Sequence, residues 1–99
     1  MIEKKLVDIE MNVGKPAKFD ATVTGLPQPD VNWQKDGLTL ESNERVSIEA
    51  KGTTKVLSIK KTQPEDIGSY TITATNEAGQ DSSSANLSVR GNGILLMKI

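Results

Sequence analysis

The chain is 99 residues long, the size of one small domain with room for a single core and none for two. It sets 12 Lys plus Arg against 13 Asp plus Glu for a formal net charge of -1, so its charge gives no attraction to nucleic acid or to an anionic membrane surface. It has no His and no Cys, which excludes imidazole acid–base chemistry, thiol nucleophiles, thiolate or imidazole metal sites and any disulfide. No apolar run approaches the roughly 20 residues of a membrane span, and Met1-Ile2-Glu3-Lys4-Lys5 lacks the apolar stretch of a signal peptide. A soluble chain suited to a reducing compartment is therefore expected, with no cofactor.

In chain order, Val7, Ile9, Met11 and Val13 alternate with mostly polar neighbours, which predicts a first strand over residues 6–13 ending at Gly14. After Lys15-Pro16 comes the clearest period of two. Ala17, Phe19, Ala21 and Val23 point one way, and Lys18, Asp20, Thr22 and Thr24 the other. Gly25-Leu26-Pro27-Gln28-Pro29 stops that strand, because proline fixes φ and offers no ladder donor. Val31 and Trp33 share a face of a third strand over 30–35, and an inward indole needs a partner for its N–H. Asp36-Gly37 is a hairpin signal, Leu38-Thr39-Leu40 a short strand and Glu41-Ser42-Asn43-Glu44 a polar loop.

Val46 and Ile48 alternate over 45–50, Lys51-Gly52-Thr53 turns, and Leu57 and Ile59 alternate again through 60. Pro64-Glu65-Asp66 opens a helical turn too short to be a helix. A tight turn at 66–68 then launches a strand with Tyr70, Ile72 and Ala74 on one face and Thr71, Thr73 and Thr75 on the other. Asn76-Glu77-Ala78-Gly79 closes it, and Ala85, Leu87 and Val89 mark a last strand over 84–89. Seven or eight short strands with frequent turns and no amphipathic helix predict an antiparallel sandwich or a small barrel.

The Asp66-Ile67-Gly68-Ser69-Tyr70 entry resembles the tyrosine corner of immunoglobulin-like sandwiches. Further pieces follow the order of the immunoglobulin superfamily's intermediate set, or I-set. They are Gly14-Lys15-Pro16-Ala17-Lys18-Phe19, Gly25-Leu26-Pro27-Gln28-Pro29 with Trp33, Lys35-Asp36-Gly37, Arg45-Val46-Ser47-Ile48, Leu57-Ser58-Ile59 and Ala74-Thr75-Asn76-Glu77-Ala78-Gly79. Residues 6–89 resemble the repeated domains of giant muscle filament proteins such as titin, twitchin, obscurin and myosin-binding protein C. The resemblance implies an all-β immunoglobulin-like sandwich of seven to nine short strands in two sheets over residues 6–90. Residues 1–5 would be an extension or a short first strand, and 91–99 an apolar tail or linker.

The family's two cysteines would fall at Ala21 and Ile72, so the resemblance implies a sandwich without its inter-sheet disulfide. Ala21, Ile72 and Trp33 would then make an apolar contact in a core that also holds Phe19, Leu57 and Tyr70. It also implies an ion pair between Arg45 and Asp66, and a first strand lying parallel to the last. The implied role is a non-catalytic module of an intracellular filament or scaffold of the sarcomere or myofibril, giving mechanical spacing, elasticity and protein binding. Its implied partners are neighbouring immunoglobulin or fibronectin-like domains and sarcomeric proteins. The competing reading is an extracellular adhesion or receptor domain that has lost its bridge, for which the Asn86-Leu87-Ser88 sequon would matter.

Remaining features are weighed against their plainest account. Glu65 and Asp66, and Glu41 near Glu44, read as solvated loop acids because no other catalytic residue type stands beside them. Ser82-Ser83-Ser84 reads as an exposed strand start. In the tail, Asn92-Gly93 is a turn signal before five apolar residues in six, with Ile94, Leu95, Met97 and Ile99 as candidate contacts. It reads as the start of a linker or next domain, as a strand added to a sheet edge with weak self-association, or as an appended segment.

Overall fold

The computed structural model describes residues 2–91 and 94–96. These form β1 (Ile2–Lys4), β2 (Ile9–Asn12), β3 (Ala17–Val23), β4 (Asp30–Lys35), β5 (Leu38–Thr39), β6 (Val46–Lys51), β7 (Thr54–Ile59), a 3₁₀ turn (Pro64–Asp66), β8 (Gly68–Asn76), β9 (Gly79–Gly91) and β10 (Ile94–Leu96). One sheet runs β1-β3-β7-β6 and the other β10-β9-β8-β4-β5, with β2 alongside β9. Every pairing is antiparallel except β2 with β9, which is parallel.

Alternation decides which residues fill the space between the sheets, because successive side chains leave a strand on opposite faces. Ala17, Phe19, Ala21 and Val23 of β3 are all buried, as are Tyr70, Ile72 and Ala74 of β8 and Ala85, Leu87 and Val89 of β9. Register brings these faces together: Phe19 stands opposite Leu57 across β3 and β7, and Trp33 opposite Ile72 across β4 and β8.

Two sequence-derived boundaries need correction. The first strand is not continuous over 6–13: the chain starts in one sheet, where Ile2 pairs with Val23, and crosses to the other, where Ile9 pairs with Leu87. Leu6 is buried at the crossing and its N–H donates to Ser83 Oγ at 3.0 Å, whereas Val7 is 70% exposed and faces solvent. The last strand begins at Gly79, not residue 84, because β8 and β9 form a hairpin in register from Asn76 opposite Gly79. Ser83 is thus a buried strand residue, not part of an exposed start.

The two ends of the described chain lie at opposite poles. At one, Ile2 neighbours Val23, and Asn76 Nδ2 donates to Pro27 O at 2.8 Å, tying the loop after β3 to the β8–β9 turn. At the other, Val13 N donates to Arg90 O at 2.6 Å, and Thr62 clasps the turn after β2 through Gly14 N to Thr62 O (2.8 Å) and Thr62 N to Lys15 O (2.9 Å). The longest axis is 46 Å, against 23 and 21 Å across. β10 pairs antiparallel with the end of β9 in the same chain, Ile94 opposite Gly91 and Leu95 opposite Arg90; the expected contacts Met97 and Ile99 lie outside the described residues.

Candidate functional site: the tyrosine corner and the core without a bridge

Pro64 suits the first position of the 3₁₀ turn, since its ring fixes φ and it has no N–H to leave unpaired. The turn carries Asp66 into the protein, where its residue is 6% exposed. Its backbone carbonyl accepts the Tyr70 hydroxyl at 2.6 Å. Its carboxylate accepts Gln63 N at 2.7 Å and Arg45 Nη2 at 2.5 Å. Arg45 Nη2 also donates to Lys61 O at 3.2 Å, and the Lys35 ammonium donates to Glu65 O. Arg45 reaches the site because it sits just before β6, twenty-one residues upstream of Asp66 in sequence.

Burial pushes the Tyr70 hydroxyl far above the usual tyrosine pKa, and the nearby Asp66 and Asp36 carboxylates add to the rise against a smaller opposing effect of Arg45. Asp36 closes the same end. In the β4–β5 turn it adopts φ +50°, its N–H donates to Ser69 O at 2.8 Å and its Oδ1 accepts Ser69 N at 2.9 Å. A Cβ on Gly68 would come within 2.7 Å of Asp36 Oδ2, so this clasp requires glycine there. Asp66, next to Glu65 in the turn, is consumed by Arg45 and by the backbone it caps. The chemistry of the corner is that of a lock.

Above it lies the core. Ala21, Ile72 and Leu57 have no exposed surface, and Phe19, Trp33 and Tyr70 are each 2% exposed. Phe19 and Tyr70 belong to different sheets, and their rings meet at 5.1 Å between centroids with a 32° tilt. That aromatic contact spans the interior between the sheets, at a separation within the roughly 4.5–7 Å range of interacting ring pairs. The Trp33 indole N–H is buried without a protein acceptor, the single buried side-chain nitrogen or oxygen so placed among the described residues.

The outer faces differ in a way the alternation alone could have revealed. On β3 and β6 the outward positions include Lys18, Asp20, Glu49 and Lys51. On the other sheet Asn32, Thr73 and Ser82 form one cross-strand row and Gln34, Thr71 and Ser84 the next, none of them charged. Thr71 Oγ1 and Ser84 Oγ share a hydrogen bond of 2.7 Å along that face.

A parallel β2–β9 pair, a tryptophan on β4 facing β8, and a tyrosine corner before β8 are the features of one family, and the sequence model of the immunoglobulin I-set domain matches residues 1–89. The chain belongs to the immunoglobulin I-set family. This I-set domain is 40% identical over 83 residues to the muscle M-line assembly protein unc-89 of Caenorhabditis elegans, covering 84% of the chain but only 1% of that relative. Among solved structures it superposes on the titin M3 domain with a TM-score of 0.87 at 37% identity, covering 91% of this chain and 95% of the other. It matches a chain of the complex of titin M10 with obscurin-like 1 with a TM-score of 0.89 at 30% identity, covering 92% and 93%. The relatives are muscle proteins, and the domain is titin-like in sequence and fold.

Proposed function

We propose that this I-set domain is a non-catalytic, load-bearing spacer and protein-binding module of an intracellular muscle filament protein. One observation carries the reading: chain ends at opposite poles joined through a parallel ladder. Pulling the ends apart draws β2 and β9 past each other along their length. The four registered pairs from Ile9 opposite Leu87 to Asn12 opposite Arg90 then bear load together, and the Glu10–Arg90 ion pair crosses the same seam. Bonds loaded in parallel resist far more than bonds opened one by one, although each is worth only about 0.5–1.5 kcal/mol at rest. A core packed without a disulfide holds its fold in a reducing cytoplasm, which favours the intracellular reading over the extracellular one. Protein partners are supported by the titin domain solved with obscurin-like 1.

Single-molecule pulling by the two ends tests the mechanical part. Met11→Pro, in the middle of the β2 ladder, is expected to lower the unfolding force by half or more, whereas Glu77→Pro in the distant β8–β9 turn changes it little. An unfolding force indistinguishable from that of an unstructured chain, or equal effects of the two substitutions, would refute the proposal.

A further inference from the structure

The two sheets turn different chemistry outward. On β4, β5, β8 and β9 register sets the outward side chains in cross-strand rows, Thr39, Gln34, Thr71 and Ser84 in one and Asn32, Thr73 and Ser82 in the next. Thr75 and Gln80 continue the surface beyond them. None of these is charged, in a chain of which 25% is charged and whose opposite sheet turns Lys18, Asp20, Glu49 and Lys51 outward. Charge returns only at the rim, with Asp30 at the start of β4 and with Asp8 and the Glu10–Arg90 pair along the outer side of β9.

The same rows hold no anchor for an unlike protein. Phe19, Trp33 and Tyr70, the only aromatic residues, are all buried. Unlike partners are recognised through opposite charge or through a buried aromatic or Arg side chain, and the rows offer neither. They offer hydroxyls and amides, each of which both donates and accepts. Thr71 Oγ1 and Ser84 Oγ, bonded at 2.7 Å, show the two roles exchanged between like groups. In a two-fold contact each patch meets the same patch, so groups with both roles suit it, whereas lysines or carboxylates near the axis would meet their own kind. A net charge of -1 adds almost no repulsion between copies.

We infer that this face docks on the same face of a second copy of the domain, forming a weak two-fold dimer. Size sets the strength. Four strands about 4.8 Å apart and three rows about 6.8 Å apart cover roughly 400 Å². Two copies then bury roughly 800 Å², short of the roughly 1,200 Å² at which stable interfaces begin. The contact therefore forms and breaks with concentration. The β2–β9 ladder engages β9 only from Leu87 onward, so docking and load-bearing are separable.

NMR of the ¹⁵N-labelled domain, diluted from millimolar to micromolar concentration, tests the dimer. Amide shifts are expected to move with concentration along β4, β8 and β9 and not along β3 and β6. Thr73→Lys, in the middle of the face, sets like charges against each other and should weaken association at least tenfold. Glu49→Lys, on the opposite sheet, should leave it unchanged. Thr73→Asp alone should weaken it as Thr73→Lys does, and mixing ¹⁵N-labelled T73K with unlabelled T73D should restore the shifts because unlike charges then meet. Four results would each overturn the inference. They are a wild type that stays monomeric at millimolar concentration, which leaves the face to an unlike protein; shifts centred on β3 and β6 or on the β9–β10 hairpin; a T73K effect no greater than that of E49K; and no response when T73K and T73D are mixed.

Discussion

Tyr70→Phe isolates the corner in two measurements. The substitution removes the hydroxyl that donates to Asp66 O at 2.6 Å and keeps the ring that packs against Phe19. A buried carbonyl loses its partner, so at pH 7 the variant should be less stable by about 1–3 kcal/mol. For a domain of this size that is a fall in Tm of at least roughly 4 °C. The second measurement uses pH. The folded state holds the Tyr70 hydroxyl far above its usual pKa, so its contribution is complete below about pH 10, where the unfolded tyrosine is still protonated, and is lost as pH rises beyond that.

At pH 11 the unfolded chain gains about 1.4 kcal/mol by ionising Tyr70, while the folded wild type gains almost nothing. The variant has no such group. Since Tyr70 is the sole tyrosine, every other titration, including that of the lysines, is common to both proteins and cancels in their difference. Urea unfolding of both between pH 7 and 11 should therefore show the stability gap narrowing by about 1.4 kcal/mol above pH 10. A gap that stays constant across that range, or one near zero at pH 7, would refute the account of the corner.

Arg45→Ala should cost about 1–2 kcal/mol in chemical denaturation, since it leaves the buried Asp66 carboxylate with only Gln63 N, while the partial exposure of Arg45 keeps the loss below that of a buried pair. A loss indistinguishable from zero would reduce the pair to surface charge. Replacing both Ala21 and Ile72 with cysteine tests their juxtaposition across the core: oxidation should close a bridge over 72 − 21 = 51 residues of chain and raise stability over the reduced form by up to about 4 kcal/mol. Failure of the two thiols to oxidise in the folded state would place them out of reach of one another.

Much of this architecture was legible because the strands that bury one face advertise it. In β3 the inward Ala17, Phe19, Ala21 and Val23, and in β8 the inward Tyr70, Ile72 and Ala74, are apolar or aromatic and their outward neighbours polar, so a period of two suffices. The crossing from β1 to β2 was not legible, because Leu6 and Ile9 are both apolar but of opposite parity, and no glycine or proline marks the change of sheet. The start of β9 was hidden for the opposite reason. Gln80, Asp81 and Ser82 carry no apolar signal, and the inward Ser83 is polar because its hydroxyl accepts the N–H of Leu6. Arg45 and Asp66 meet only through the fold, so family resemblance suggested the pair where spacing could not.

The same split of the first strand makes a mechanical expectation. β1 is held to β3 by two registered pairs with an irregularity between them, Ile2 opposite Val23 and Lys4 opposite Thr22. β2 is held to β9 by four, with the Val13 to Arg90 bond continuing the ladder. The two lie in series from the N-terminal end, so tension reaches β1 first and must break the weaker attachment before β2 bears it fully. β1 already lies extended, and its release adds little length. Loss of the ladder then frees the whole sandwich, roughly 300 Å of chain at about 3.4 Å per residue. Force–extension traces should therefore show a short early step, well under a tenth of the main one, followed by the full rupture. Ile2→Gly should lower the force of the early step and leave the main one within error, because Ile2 packs in the core only through β1. If Ile2→Gly instead weakened the main rupture as much as Met11→Pro does, the two segments would share one load-bearing unit and the series argument would fail.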